Sequence, residues 1–324
     1  MGRNKTFALL LIAWLLATMV TGCGSSPVGS GASPEGQLKG TISISGAWAL
    51  YPLVVRWSEE FAKVHPAVKF DISAGGAGKG MADAIAGAVD IGMVSREIYP
   101  EEEEKGAYWL SVTKDAVFAT INAENPVLDQ ILQRGVTADT FYGIYISGEV
   151  TNWGQVVGRP DVTDPIHVYT RSDACGAAAT WAEYLDSAQE DLLGVGVYGD
   201  PGLLDAVIKD PLGIGFNNLN YAYDSDTGQP VAGAQVVPID VNMNQIADSQ
   251  ESYLTKQQAV DAVASGNYPS PPARDLNLVT AGKPTGLTRT FMIWILTDGQ
   301  AFVSEAGYVP LPEDNLGTQR AKLD

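Results

Sequence analysis

From residue 41 onward, short apolar runs of strand length alternate with longer segments whose apolar residues recur every three or four positions. The run TISIS (41–45) alternates polar and apolar side chains, the period-2 signature of a strand. Behind it, Leu50, Leu53, Val54, Trp57, Phe61 and Val64 share one helical face, and His65-Pro66 ends that helix because the residue before proline avoids the α region. Strand, turn and helix then repeat, with a strand at 68–73, a Gly-rich turn, a helix at about 80–88 and a strand at 89–94. Tyr99-Pro100 ahead of four glutamates marks a helix start, since proline suits the first turn and carboxylates suit the positive end of the dipole. Further strands are expected at 117–122, 166–169, 212–216, 235–239 and 276–280, with helices at about 138–145, 177–185, 287–296 and 299–306. This alternation predicts an α/β protein with mainly parallel central sheets flanked by helices.

The chain begins differently. Arg3 and Lys5 precede an apolar run from Phe7 to Val20, and Val20-Thr21-Gly22-Cys23 closes it. The run is shorter than the ~20 residues that cross a bilayer as a helix, so residues 1–22 read as a cleaved signal peptide. The four closing residues resemble a lipobox, which implies lipidation of Cys23 as the mature N-terminus. Residues 24–36 are almost all Gly, Ser, Pro and Ala, the composition of a flexible tether, so 23–40 are assigned to a lipidated leash.

Charge and composition narrow the chemistry. The net charge of −18 opposes a polyanion, so nucleic acid is excluded as a partner. Two cysteines and two histidines are too few for a zinc cluster or a disulfide framework, and no cofactor is expected.

Three glycine-containing turns fall between a strand and a helix: Ser45-Gly46-Ala47-Trp48, Gly75-Gly76-Ala77-Gly78 and Ser172-Asp173-Ala174-Cys175-Gly176. Free N–H groups at a helix start bind anions, and Arg171 and Arg96 stand near such turns with charge-assisted donors. Their meaning depends on whether they converge. Asp240, Asn242, Asn244 and Glu251 match positions 1, 3, 5 and 12 of a calcium loop, but Gln245 stands where the sharp turn wants glycine, so a polar surface loop is expected.

The stretches SGAWALYPLVVRWSEEF, HPAVKFDISAGGAGKGMADAIAGAVDIGMVSREI, VYTRSDACGAAATWAEYL and GNYPSPPARDLNLVTAGKPTGLTRTFMIWILTDGQAFVSEAGYVPL resemble the phosphate-binding lipoproteins of ABC importers. That resemblance runs from about residue 41 to 311. It implies a two-lobed, periplasmic-binding-protein-like type II fold, with lobe I formed by 41–118 and 276–324 and lobe II by 119–275. Carried over, the ligand positions fall on Ala47, Trp48 and Ala49, on Gly76, Ala77 and Gly78, on Ser95 and Arg96, and on Arg171, Cys175, Gly176 and Ala177. The family's hydroxyl side chains are replaced here by Ala47, Trp48, Ala49, Ala77, Cys175 and Ala177. Backbone donors are expected to do most of the binding, with Arg96 and Arg171 facing the cleft in a donor-only site.

The resulting expectation is a membrane-anchored solute-binding lipoprotein that captures an oxyanion, inorganic phosphate first, and delivers it to permease and ATPase subunits. The alternatives are a binder of sulfate, molybdate, tungstate or a carboxylate, or a surface sensor or adhesion lipoprotein on the same fold. An enzyme is not expected, because neither His65 nor His167 is placed beside Cys175, and Cys175 reads as a packed thiol in place of serine.

Overall fold

The computed structural model describes residues 38–324; Cys23, the apolar leader and the tether lie outside the described residues. Among the described residues nine strands carry the fold: β1 (Gly40–Gly46), β2 (Val68–Ala74), β3 (Ile91–Val94), β4 (Ala107–Asn122), β5 (His167–Arg171), β6 (Val195–Val197), β7 (Gly213–Asn218), β8 (Ala234–Val236) and β9 (Ala273–Ala281). They pair in the order β2-β1-β3-β9-β4-β7-β5-β6, with β8 also on β4.

The first helix, Tyr51–Val64, shows why the local pattern works. Its buried face is Leu53, Val54, Trp57, Ser58 and Phe61, Pro52 sits in the first turn, and His65 closes it with its amide on the Phe61 carbonyl. The helices Ala77–Ile85 and Gly176–Tyr184 likewise follow strands β2 and β5 through tight turns.

The apolar side chains form two cores. One gathers residues of β1–β3, the start of β4 and the C-terminal helices, around Trp57, Phe61, Leu110, Leu278 and Phe291. The other gathers Ala116–Ile121, Phe141, Trp153, Trp181, Phe216 and Tyr268. β4 and β9 run along the seam, paired antiparallel from Ala107↔Ala281 to Ala116↔Ala273 with one irregularity between Ser111 and Thr113.

The pairing is mixed where mainly parallel sheets were expected. β1–β2, β1–β3, β5–β6 and β5–β7 are parallel, whereas β3–β9, β4–β7, β4–β8 and β4–β9 are antiparallel. The reason is topological: the chain passes from the first core to the second along β4 and returns along β9, and two crossings in opposite directions through one seam pair antiparallel. Asp115 and Arg274 face each other in that seam as register partners.

Candidate functional site

The three glycine turns meet. Gly46 (φ +130°) lies so close to the chain near Met93 and Gly80 that an added Cβ would stand 2.3 Å from the Met93 carbonyl. Its own carbonyl accepts from the amides of Gly75 and Gly76 at 2.9 and 3.0 Å, which fastens the second turn to the first. The Gly78 amide in turn donates to the Ala174 carbonyl at 3.0 Å, fastening the second turn to the third. On the other side, a Cβ on Gly176 would lie 2.2 Å from both the carbonyl and the hydroxyl of Ser95. Residues 47–49, 76–78, 95 and 175–177 therefore surround one place, with backbone approaches that leave no room for side chains.

What these turns offer is main-chain donors. The amides of Trp48, Ala49, Ala77, Gly176 and Ala177 donate to no protein acceptor among the described residues. They sit at the starts of helices of 14, 9 and 9 residues, where unpaired N–H groups and the helix dipole together favour negative charge. Side chains add little. Ala47, Ala49, Ala77 and Ala177 carry no polar atom. Cys175 caps its helix by accepting from the Ala178 amide at 3.3 Å, the task a serine would perform. Burial pushes its thiol up to about 12 despite nearby Arg171. Trp48 buries an unpartnered Nε1 and meets Tyr198 edge-on at 6.0 Å between ring centroids. Lys79 is turned away to Asp83.

Arg171 is fully buried at the end of β5. Its Nε and one terminal nitrogen donate to the two oxygens of Asp173 at 2.8 and 2.7 Å, and the other terminal nitrogen donates to Asp200 at 2.7 Å. Burial acts to lower its pKa, but Asp200 and Asp173 more than offset it and hold the guanidinium charged. Asp200 is itself fixed by the amide and side chain of Asn218 at 2.9 and 2.8 Å. Asn218 also accepts from Arg274, whose Nε donates to the Ser95 carbonyl at 2.9 Å. Across the seam, Asp115 stands 3.6 Å from Arg274, and burial pushes its carboxyl up to about 6 against the pull of that guanidinium. A single buried polar chain thus runs from Asp173 through Arg171, Asp200, Asn218 and Arg274 to Asp115.

Arg96 departs from expectation. Both of its terminal nitrogens grip Glu102 at 3.0 and 2.7 Å, and its guanidinium lies over the Tyr99 ring at 4.4 Å. Glu102 sits in the first turn of the acidic helix Pro100–Glu104, so the carboxylates that start that helix hold Arg96 at the rim. There it lines an outer pocket of about 430 Å³ with Gly78, Ala174 and Cys175. The expected donor-only site is also corrected, because the buried carboxylates of Asp115, Asp173 and Asp200 share it with the two arginines.

The loop at 240–251 does bring Asp240, Asn242, Asn244 and Glu251 together, and Gln245 adopts φ 63°. Its carboxylates are taken by the loop's own amides: Asp240 accepts from Asn244 and Gln245, and Glu251 from Val241, Asn242 and Asp248. Among the described residues no group of three or more His, Cys, Asp or Glu side chains is arranged to hold a metal ion. His167 is half exposed and pairs with Asp210 at 2.7 Å, and Trp153 is core.

Sequence reasoning missed Asp115, Asp200, Asn218 and Arg274. A charged residue directly ahead of an apolar run, as in Asp115 before Ala116–Ala119, was the one local sign of a buried ion pair.

A family model for the PBP superfamily domain matches residues 31–299. The phosphate-binding protein PstS of Bacillus subtilis is 25% identical over 324 residues, covering 97% of this chain and 96% of the relative. The phosphate-binding protein PstS of Methanocaldococcus jannaschii is 27% identical over 374 residues, covering 96% and 93%. Among solved structures, one from Clostridium perfringens with bound phosphate superposes with a TM-score of 0.68 at 22% identity, covering 84% of this chain and all of that one. An ABC-type phosphate transport receptor from Vibrio cholerae gives 0.61 at 20% identity, with the same coverage.

Proposed function

Because the chain belongs to the PBP superfamily, we propose that it is an extracytoplasmic solute-binding protein of an ABC importer that captures an oxyanion, inorganic phosphate first, and presents it to permease and ATPase subunits. The observation that carries this reading is the convergence of three helix starts with unpaired amides on one place between two cores. The names of the relatives in Bacillus subtilis and Methanocaldococcus jannaschii add phosphate to it. Lobe I is taken as residues 41–118 and 276–324 and lobe II as 119–275; the seam of β4 and β9 supports a hinge there. A second reading, another oxyanion in the same cleft, is favoured by one feature: alanine, tryptophan and cysteine stand at the positions where the family resemblance implies hydroxyl ligands.

An enzyme is a poorer account. Burial pushes the Cys175 thiol up, away from the thiolate that a nucleophile needs.

A thermal-shift series with phosphate, sulfate, molybdate, tungstate and small carboxylates tests the ligand class. A ligand that binds only the folded state stabilises it by roughly 2.7 kcal/mol at 100 times its Kd, so the melting temperature should rise with phosphate. No rise with any of these anions would sink the reading.

The anchor is proposed to be a lipid on Cys23. No helix among the described residues is long and apolar enough to cross a membrane. Cys23→Ala should leave the protein unprocessed or release it from membrane pellets; unchanged processing and sedimentation would contradict the anchor.

A further inference from the structure

Of the two arginines buried in the cleft, the one that sequence reasoning singled out already spends three of its five N–H donors on carboxylates. Each nitrogen of Arg171 donates to a carboxylate oxygen, from Asp173 or Asp200. Arg274 is placed differently. Its side chain is 8% exposed, its Nε holds the Ser95 carbonyl, one terminal nitrogen holds Asn218, and the other terminal nitrogen is buried with no partner at all. Its carboxylate neighbour does not fill that gap: Asp115 lies 3.6 Å away on the side of the nitrogen that Asn218 already holds. Neither Asp115 oxygen makes a well-formed hydrogen bond, although the amides of Ala116 and Leu219 lie close by. A guanidinium cannot shed its proton, so a buried N–H pair left empty is a standing cost that a ligand oxygen would remove.

The position is right for that. Arg274 grips the carbonyl of Ser95, and Ser95 is the residue against which Gly176 packs at the start of its helix. The unpaired amides of Gly176 and Ala177 and the guanidinium of Arg274, through its Nε, therefore flank the same residue.

We propose that Arg274 supplies a direct cationic contact to the bound oxyanion, while the three committed donors of Arg171 hold Asp173 and Asp200, and through Asp200 also Asn218, in place. The inference rests on the oxyanion reading of the cleft. Asp115 then acts as a brake, a like charge beside the incoming anion that Arg274 partly offsets.

The experiment is calorimetric titration of inorganic phosphate into the wild-type chain, Arg274→Gln, Arg274→Lys and Asp115→Asn, with the melting temperature of each recorded without ligand. Loss of a charge-assisted hydrogen bond should weaken phosphate binding by about ten- to a hundredfold in Arg274→Gln. Arg274→Lys should fall in between, and Asp115→Asn should bind several times more tightly than wild type. A merely structural bridge would lower melting temperatures in these variants without tightening binding in Asp115→Asn. Should Arg274→Gln fail to fold, the lysine and asparagine variants decide the matter by the same comparison. Wild-type binding that survives in Arg274→Gln within twofold, or Asp115→Asn no tighter than wild type, overturns the role of Arg274. A wild-type chain that takes up no phosphate overturns the oxyanion reading itself.

Discussion

Arg171→Met should cost about 3–5 kcal/mol of folding stability, because removing one partner of a buried ion pair leaves uncompensated charge in the interior. Here the removal strands two carboxylates, Asp173 and Asp200, which are 9% and 0% exposed and which Arg171 meets at 2.7 Å. The methionine keeps most of the volume, so little of the loss should come from a cavity. Urea unfolding at neutral pH measures it. Replacing the whole set, as Arg171→Met with Asp173→Asn and Asp200→Asn, should recover much of the stability, since such residues are coupled and do not add. A single variant within 1 kcal/mol of wild type would contradict the pairing. This result also bears on how binding losses are read. Any loss of anion affinity in Arg171→Met has to be separated from unfolding, because the same guanidinium organises Asp200 and, through it, Asn218.

The second large effect is expected from one methyl group. Gly176→Ala places a Cβ where 2.2 Å separates it from the Ser95 carbonyl and hydroxyl. Overpacking of that kind costs typically 1–3 kcal/mol, and if the contact forms only when the cleft is shut, the penalty falls on closure and so on affinity. Phosphate binding should weaken by about five- to a hundredfold or more. Alanine is a good residue for the first turn of a helix, so the melting temperature without ligand should change little. A variant that binds as wild type, or one that loses stability and affinity in equal measure, would show that Ser95 and Gly176 do not part and meet with the ligand.

Particular elements show what was legible beforehand. The period of 41–45, the face of Leu53, Val54, Trp57 and Phe61, and the glycine turns were visible because each is a local pattern whose cause is local. The first half of β4 was not. Ser111, Thr113 and Asp115 break the apolar pattern there, yet all three are buried, and Ser111 and Thr113 are paired with Asn277 and the Val309 carbonyl at 2.8 Å each. Polar side chains satisfied by distant partners mimic an exposed segment. The helices Gly199–Lys209, Lys256–Ser265 and Glu313–Leu323 were passed over as well, since each buries only two or three apolar side chains and so shows a short apolar stripe. At the site, the turns and Arg171 could be placed from the chain alone, but their partners could not. Asp200 comes 29 residues after Arg171, and Arg274 meets Ser95 from the far end of the body. Arg96 shows the converse, a residue with the right chemistry and position in sequence that a neighbouring carboxylate, Glu102, holds at the rim.

The central claim is that the three amide-bearing turns bind an oxyanion between the two cores, and calorimetric titration of wild type with phosphate, beside Gly176→Ala, tests it most directly. The account expects saturable, one-to-one heat in wild type and a clear loss of affinity in the variant. No heat from phosphate at millimolar concentration, or equal affinity in the two proteins, would contradict it.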